Sequence, residues 1–159
     1  MKLTTFFSTL FLVFLFIGCG KSPPPGLPPL APCKIKVHNN GSPVENIGVT
    51  FQRTEGQSGW SLNCQTGPDG VGVVQTIAGS YEAKGIPIGK YRITLRERIE
   101  LPAELMGDDY DQAVIAKQQQ YLAEHRTLPA ILYNASQTPL ELTVTESGAE
   151  LDVDVAKYK

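Results

Sequence analysis

Residues 85–97 read GIPIGKYRITLRE, and the order of side chains from Lys90 onward decides the fold. Tyr91, Ile93 and Leu95 are apolar, while Arg92, Thr94 and Arg96 between them are polar. A period of two describes a strand with one face on a core and the other in water. Gly85, Pro87 and Gly89, just upstream, are residues that tight turns require.

The same alternation recurs on both sides of this stretch. Candidate strands are CKIKVH with Cys33, Ile35 and Val37 on one face, NIGVTFQR with Ile47, Val49 and Phe51, and WSLNC with Trp60, Leu62 and Cys64. GVGVVQTI (70–77) reads as one more strand, followed near the end by LELTVT with Leu140, Leu142 and Val144, and ELDVDV with Leu151, Val153 and Val155. Turn formers separate them: NNGSP (39–43), TGPDG (66–70), GIPIGK (85–90) and ESGAE (146–150);. About seven strands, each with a single apolar face, need a second sheet to cover them. The expected fold is all-β, an antiparallel β-sandwich.

One segment departs from that pattern. DDYDQAVIAKQQQYLAEH (108–125) is rich in helix formers, and Tyr110, Val114, Tyr121 and Leu122 recur near helical spacing;. It predicts one helix inserted between strands, capped by Asp108 or Asp109 and ended by Pro129. Capping accounts for Asp108, Asp109 and Asp111 without a metal.

A chain of 159 residues with a net charge of −2 fits one domain and carries no basic footprint for nucleic acid;. The N-terminus has its own composition. Lys2 precedes FFSTLFLVFLFI (Phe6–Ile17), an apolar run of signal-peptide length and shorter than a membrane span;. The following FIGC (Phe16, Ile17, Gly18, Cys19) resembles the lipobox of bacterial lipoproteins, with Phe16 in place of the usual leucine. The resemblance implies that residues 1–18 are a cleaved signal and that the Cys19 thiol carries a diacylglycerol. Two or three acyl chains, at about 0.8 kcal/mol per buried methylene, hold a domain at a membrane durably. Residues 19–32, with GKSPPPGLPPLAP (20–32), read as an extended Pro-rich tether;. Gly20, in place of the aspartate tied by that resemblance to inner-membrane retention, implies the outer membrane, facing the periplasm.

With Cys19 assigned to lipid, Cys33 and Cys64 remain. Both take the core phase of their strands, so they are candidates for a disulfide in an exported chain or for two buried free thiols. A bridge would close a loop of about 30 residues and add roughly 3 to 4 kcal/mol. His38 and His125 have no ligand spacing to these cysteines, so no metal site or cofactor is expected.

The order of motifs resembles a family. GSPVENIGVTFQR (41–53), TGPDGVGVV (66–74) and GIPIGKYRITL (85–95) are similar to the carboxypeptidase regulatory-like, transthyretin-like domain, and LPAILYNASQTPLELTVTESGAELDVDV (128–155) is similar to the end of bacterial lipoproteins that carry it. The resemblance implies a Greek-key, prealbumin-like sandwich over residues 33–159 with a variable insertion at 98–127. It also implies a non-enzymatic role in recognition or assembly. The hydroxyisourate hydrolases, catalytic relatives by fold, use His and Arg side chains and a YRGS-like tail. Here the chain ends VDVAKYK, with no arginine motif beside His38. No serine or cysteine sits in a nucleophile elbow, and no glycine loop for phosphate is present. Asp152 and Asp154 alternate with core residues and fall on the solvent face.

The expected function is a membrane-anchored, non-enzymatic module that contacts another envelope protein through an edge strand or loops. Binding of a small ligand or carbohydrate on an aromatic platform, with Trp60, Tyr81 and Tyr110 as candidates, is the alternative. The anchor is tested by Cys19→Ala: the protein is expected to remain uncleaved or to leave the membrane fraction. A processed variant that fractionates unchanged refutes the lipid assignment.

Overall fold

The computed structural model describes residues 22–56, 59–106 and 111–158. Residues 1–21, which include the expected signal segment, Cys19 and the start of the expected tether, lie outside the described residues, as do Asp108, Asp109 and Tyr110.

The alternating segments form the strands expected of them. They are β2 (Cys33–Asn39), β4 (Ile47–Arg53), β5 (Ser61–Gln65), β10 (Gly89–Glu97), β11 (Glu141–Val144) and β12 (Ala149–Asp154), joined by the short β1 (Leu30–Ala31), β3 (Ser42–Pro43), β6 (Val71–Val73), β7 (Gln75–Ala78), β8 (Tyr81–Lys84) and β9 (Ile86–Pro87). One sheet has the order β11-β10-β4-β5-β7-β8; the other is β12-β2-β3, with β6 also paired to β2. In the larger sheet β4, β5 and β7 follow one another and β10 returns beside β4, which is the Greek-key arrangement;. The core between the sheets holds the side chains of the expected phase: Ile35, Val37, Tyr91, Ile93 and Leu95 are fully buried, and Ile47, Val49, Phe51, Leu62, Val144 and Val153 nearly so.

Tyr91 shows how a polar tip is accommodated there. Its ring packs edge-on to Phe51, with centroids 6.4 Å apart, and its hydroxyl donates to the Pro87 carbonyl at 2.6 Å. A tyrosine hydroxyl bonded to backbone a few residues upstream is a recurrent corner in Greek-key sandwiches. Buried Thr66, Thr76 and Thr138 are likewise paired, with the carbonyls of Val44, Gly85 and Ile93.

Four features differ from the sequence reading. GVGVVQTI is two strands in two sheets, β6 on β2 and β7 on β5, because the chain crosses between the layers at Val74, whose side chain is fully buried. β12 runs parallel to β2, residue for residue from Ala149↔Cys33 to Asp154↔His38, so the sandwich is not wholly antiparallel. A parallel pair needs a long crossover, and here almost the whole domain lies between the partners. Strand pairing begins inside the segment read as tether, since Leu30–Ala31 pairs with Ile86–Pro87. The helix α1 (Gln112–His125) starts after Asp111, which itself caps it by accepting from Ala113 N–H at 2.8 Å, in place of Asp108 or Asp109. It ends ahead of Pro129, and none of its residues is buried, so it rides outside the core.

The TGPDG turn carries a strict steric demand. Gly70 has φ +73°, and a Cβ there would lie 2.5 Å from the Val37 carbonyl oxygen, the chain being held close by Val37 N–H bonding Gly70 O at 2.8 Å. Gly41 has a similar φ of +85° with nothing within 4 Å. Gly70→Ala is therefore expected to destabilise by at least about 2 kcal/mol, a fall in melting temperature of about 5 to 10 °C, and Gly41→Ala by distinctly less. Equal losses in thermal unfolding would refute the close contact with β2.

Candidate functional site

Outward-facing residues of the six-stranded sheet align across strands. Pairing opposes Thr94 to Thr50, Thr50 to Asn63, Asn63 to Gln75 and Gln75 to Lys84, so one row crosses β10, β4, β5, β7 and β8. Arg92 stands opposite Gln52 and Arg96 opposite Gly48 in the neighbouring rows. Strands lie about 4.8 Å apart, which makes the row about 19 Å long. Shallow grooves run over it. One of about 580 Å³ is lined by Thr50, Gln52, Arg53, Trp60, Asn63 and Thr94; another of about 570 Å³ continues past Arg96 to Tyr133 and Asn134. A third, of about 540 Å³, holds Arg53 and Arg92 beside Asn134, Ala135 and Ser136. That last loop is pre-shaped: Asn134 Oδ1 accepts from the Ser136 amide at 2.9 Å and its hydroxyl at 2.8 Å.

At the end of β10 the Glu97 carboxylate holds the returning chain. It accepts hydrogen bonds from the Thr127 amide and hydroxyl, from the Leu128 amide at 3.1 Å and from the Tyr133 hydroxyl at 2.6 Å. Arg126 lies over the Tyr133 ring, 4.8 Å from its centroid. Burial pushes the Glu97 pKa up, but the four donors favour the ionised form and bring it below the ordinary glutamate value;. Burial and then the bond to Glu97 raise the Tyr133 hydroxyl.

On the other sheet His38 is the joint of a polar cluster. Its Nε2–H donates to Asp152 Oδ1 at 2.9 Å and its Nδ1 accepts from the Gly41 amide at 3.1 Å, an arrangement that fits a neutral imidazole. Asp154 accepts from the Asn40 amide at 3.0 Å, and this bond leads the effects that lower its pKa. The three residues tie the Asn39–Gly41 turn to β12. Among the described residues no group of three or more His, Cys, Asp and Glu side chains could hold a metal ion.

Cys33 and Cys64 are both buried, as their phases require, and each is a free thiol in this structure. Cys64 Sγ packs over Gly72, which pairs with Ile35, and the Cys33 carbonyl accepts from the Val74 amide. Burial raises the Cys33 pKa to about 11 and, with Cys33 adding to it, that of Cys64 to about 12. Of the aromatics proposed as a platform, Trp60 is half-buried at a groove wall and Tyr81 half-buried at the start of β8. The stacked pair among the described residues is instead Tyr121 with His125 on α1, 3.8 Å apart.

The chain matches no family model, no curated protein and no solved structure.

The Glu97 clamp gives a pH dependence of defined sign. A carboxyl whose folded pKa is depressed contributes stability that is present above its unfolded value, about 4.3, and is lost as pH falls through the folded value. Melting temperature is expected to drop on acidification below about pH 4.3, and Glu97→Gln to lower it at pH 7 while flattening part of the acid slope; Asp154 supplies a further part. A variant with unchanged stability at pH 7 and an unchanged acid profile refutes the clamp.

Proposed function

We propose that this protein is a membrane-tethered, non-enzymatic interaction module of the cell envelope, whose transthyretin-like sandwich docks a partner protein by strand addition. The observation that carries this reading is the bare edge of β12. The strand pairs with β2 on one side and, among the described residues, has no strand on the other. Ala149 N–H bonds Pro32 O, so in a parallel pair the amides of Glu150 and Asp152 turn the opposite way, toward solvent;. Two outward N–H groups with their carbonyls are a template for a partner strand. Among the edge strands of the described residues β12 is the longest: six residues, against four in each of β8 and β11, three in β6 and two in β3.

The address rests on sequence features alone. FIGC at residues 16–19 supports lipid attachment at Cys19, and the prolines of residues 20–32 support a spacer between that anchor and the domain. Gly20 favours the outer membrane, with the sandwich in the periplasm. The motifs shared with carboxypeptidase regulatory-like domains support the same non-catalytic role.

A photo-crosslinking residue placed at Glu150 in intact cells is expected to give a discrete adduct with one envelope protein. The same residue at Glu82, on the β8 edge, is expected to give none. Asp152→Pro removes an outward donor from an edge strand, where proline is tolerated, and is expected to weaken the adduct several-fold while the domain stays folded. Equal adducts at both edges, or full crosslinking in the folded proline variant, refute docking at β12.

A further inference from the structure

We propose that the outer face of the six-stranded sheet is a separate binding surface for an acidic oligosaccharide, a chain of sugars bearing carboxylates. The chemistry of the row favours such a ligand. Thr50, Gln52, Asn63, Gln75, Thr94 and Arg96 come from four adjacent strands, and among the described residues none of their side chains is engaged by another group of the protein. An amide offers two donors and an acceptor, and a hydroxyl offers one donor and two acceptor lone pairs. Strand pairing holds these groups at a regular spacing, a pattern suited to repeated sugar hydroxyls.

Charge sets the class of sugar. The chain is acidic overall, with a net charge of −2, yet the grooves on this face are lined by Arg53, Arg92 and Arg96 and by no carboxylate. Glu141 lies at the rim, 3.5 Å from Arg92 Nε, and Arg53 donates to the Ile88 carbonyl at 2.9 Å. Arg96 borders two grooves with its guanidinium uncommitted. A guanidinium fork binds carboxylate bidentately, so Arg96 is the anchor and the Thr–Asn–Gln row reads the hydroxyls. Trp60 on one side, and Tyr133 with the Asn134 loop on the other, supply half-buried rings at the walls. A protein partner is less well served, because protein interfaces centre on aromatic and apolar anchors and the middle of this face has none.

The full-length chain in detergent, titrated calorimetrically at low salt, is expected to bind oligogalacturonate. It is expected not to bind a neutral cello-oligosaccharide of equal length, and to bind polyglutamate far more weakly. Arg96→Gln should weaken oligogalacturonate by about tenfold or more, Arg96→Lys by less, and Asn63→Leu should also weaken it. Glu150→Gln, on the other sheet, should change nothing. Failure of the folded protein to bind oligogalacturonate overturns the proposal, as does full affinity in Arg96→Gln. Polyglutamate binding as tightly as the sugar overturns it in favour of an acidic polypeptide. None of these outcomes bears on docking at β12, which lies on the opposite sheet.

Discussion

The pairing of β4 with β10 is the constraint on which the rest of the molecule depends. Seven consecutive residues of each strand are opposed, from Tyr91↔Arg53 to Glu97↔Ile47. That register puts Ile47, Val49 and Phe51 beside Tyr91, Ile93 and Leu95 on the inner face, and a slip of β4 by one residue against β10 would turn its three outward. Every other element is placed relative to this pair. β5 and β11 continue the sheet on its two flanks, the second sheet covers its apolar side, and Glu97 at its end catches the chain returning from α1. Burial of the inner face drives the pairing, and the outer face is fixed as a by-product of it. The regular array of polar groups on the outside is thus as well determined as the core.

Legibility from sequence follows the range of the interaction. Strands such as CKIKVH and KYRITLRE were readable because burial alternates within each segment, and one phase then predicts every inward residue. Val74 was not readable as a crossing point: two neighbouring valines, Val73 and Val74, look like continuation of a strand, and only the positions of both sheets decide that the chain changes layer there. β8 and β9 were missed for a related reason. Gly85, Pro87 and Gly89 signal turns, and the pairing of Ile86–Pro87 with Leu30–Ala31 depends on a segment more than fifty positions away. The helix cap was displaced by a few residues because Asp108, Asp109 and Asp111 have the same capping chemistry, and the choice among them is geometric.

The polar clusters were still less accessible. Glu97 meets Tyr133 across 36 residues, and Asn40 meets Asp154 across 114. Each of these residues, read alone, is an ordinary exposed side chain. The cysteines illustrate the limit from the other direction. Period-two phase correctly sent both thiols inward, but phase fixes the face and leaves the position along the strand open. A bridge needs both, and the register that sets Cys64 over Gly72 is a relation between strands that period-two phase does not contain.

The two surfaces differ in what a mutation can do to them. β12 contributes Leu151 and Val153 to the interior while offering Glu150 and Asp152 outward, so its edge is inseparable from the core it helps to build. Backbone groups make that edge, and most side-chain changes on the solvent face leave it intact. The Thr–Asn–Gln row on the other sheet has the opposite property: its groups are side chains alone, and none of them belongs to the buried core. A sandwich built this way has a backbone edge fixed by its core on one sheet and a side-chain surface that is not fixed by the core on the other. The chain enters this arrangement at β1, which pairs with β9 and belongs to neither of the two larger sheets.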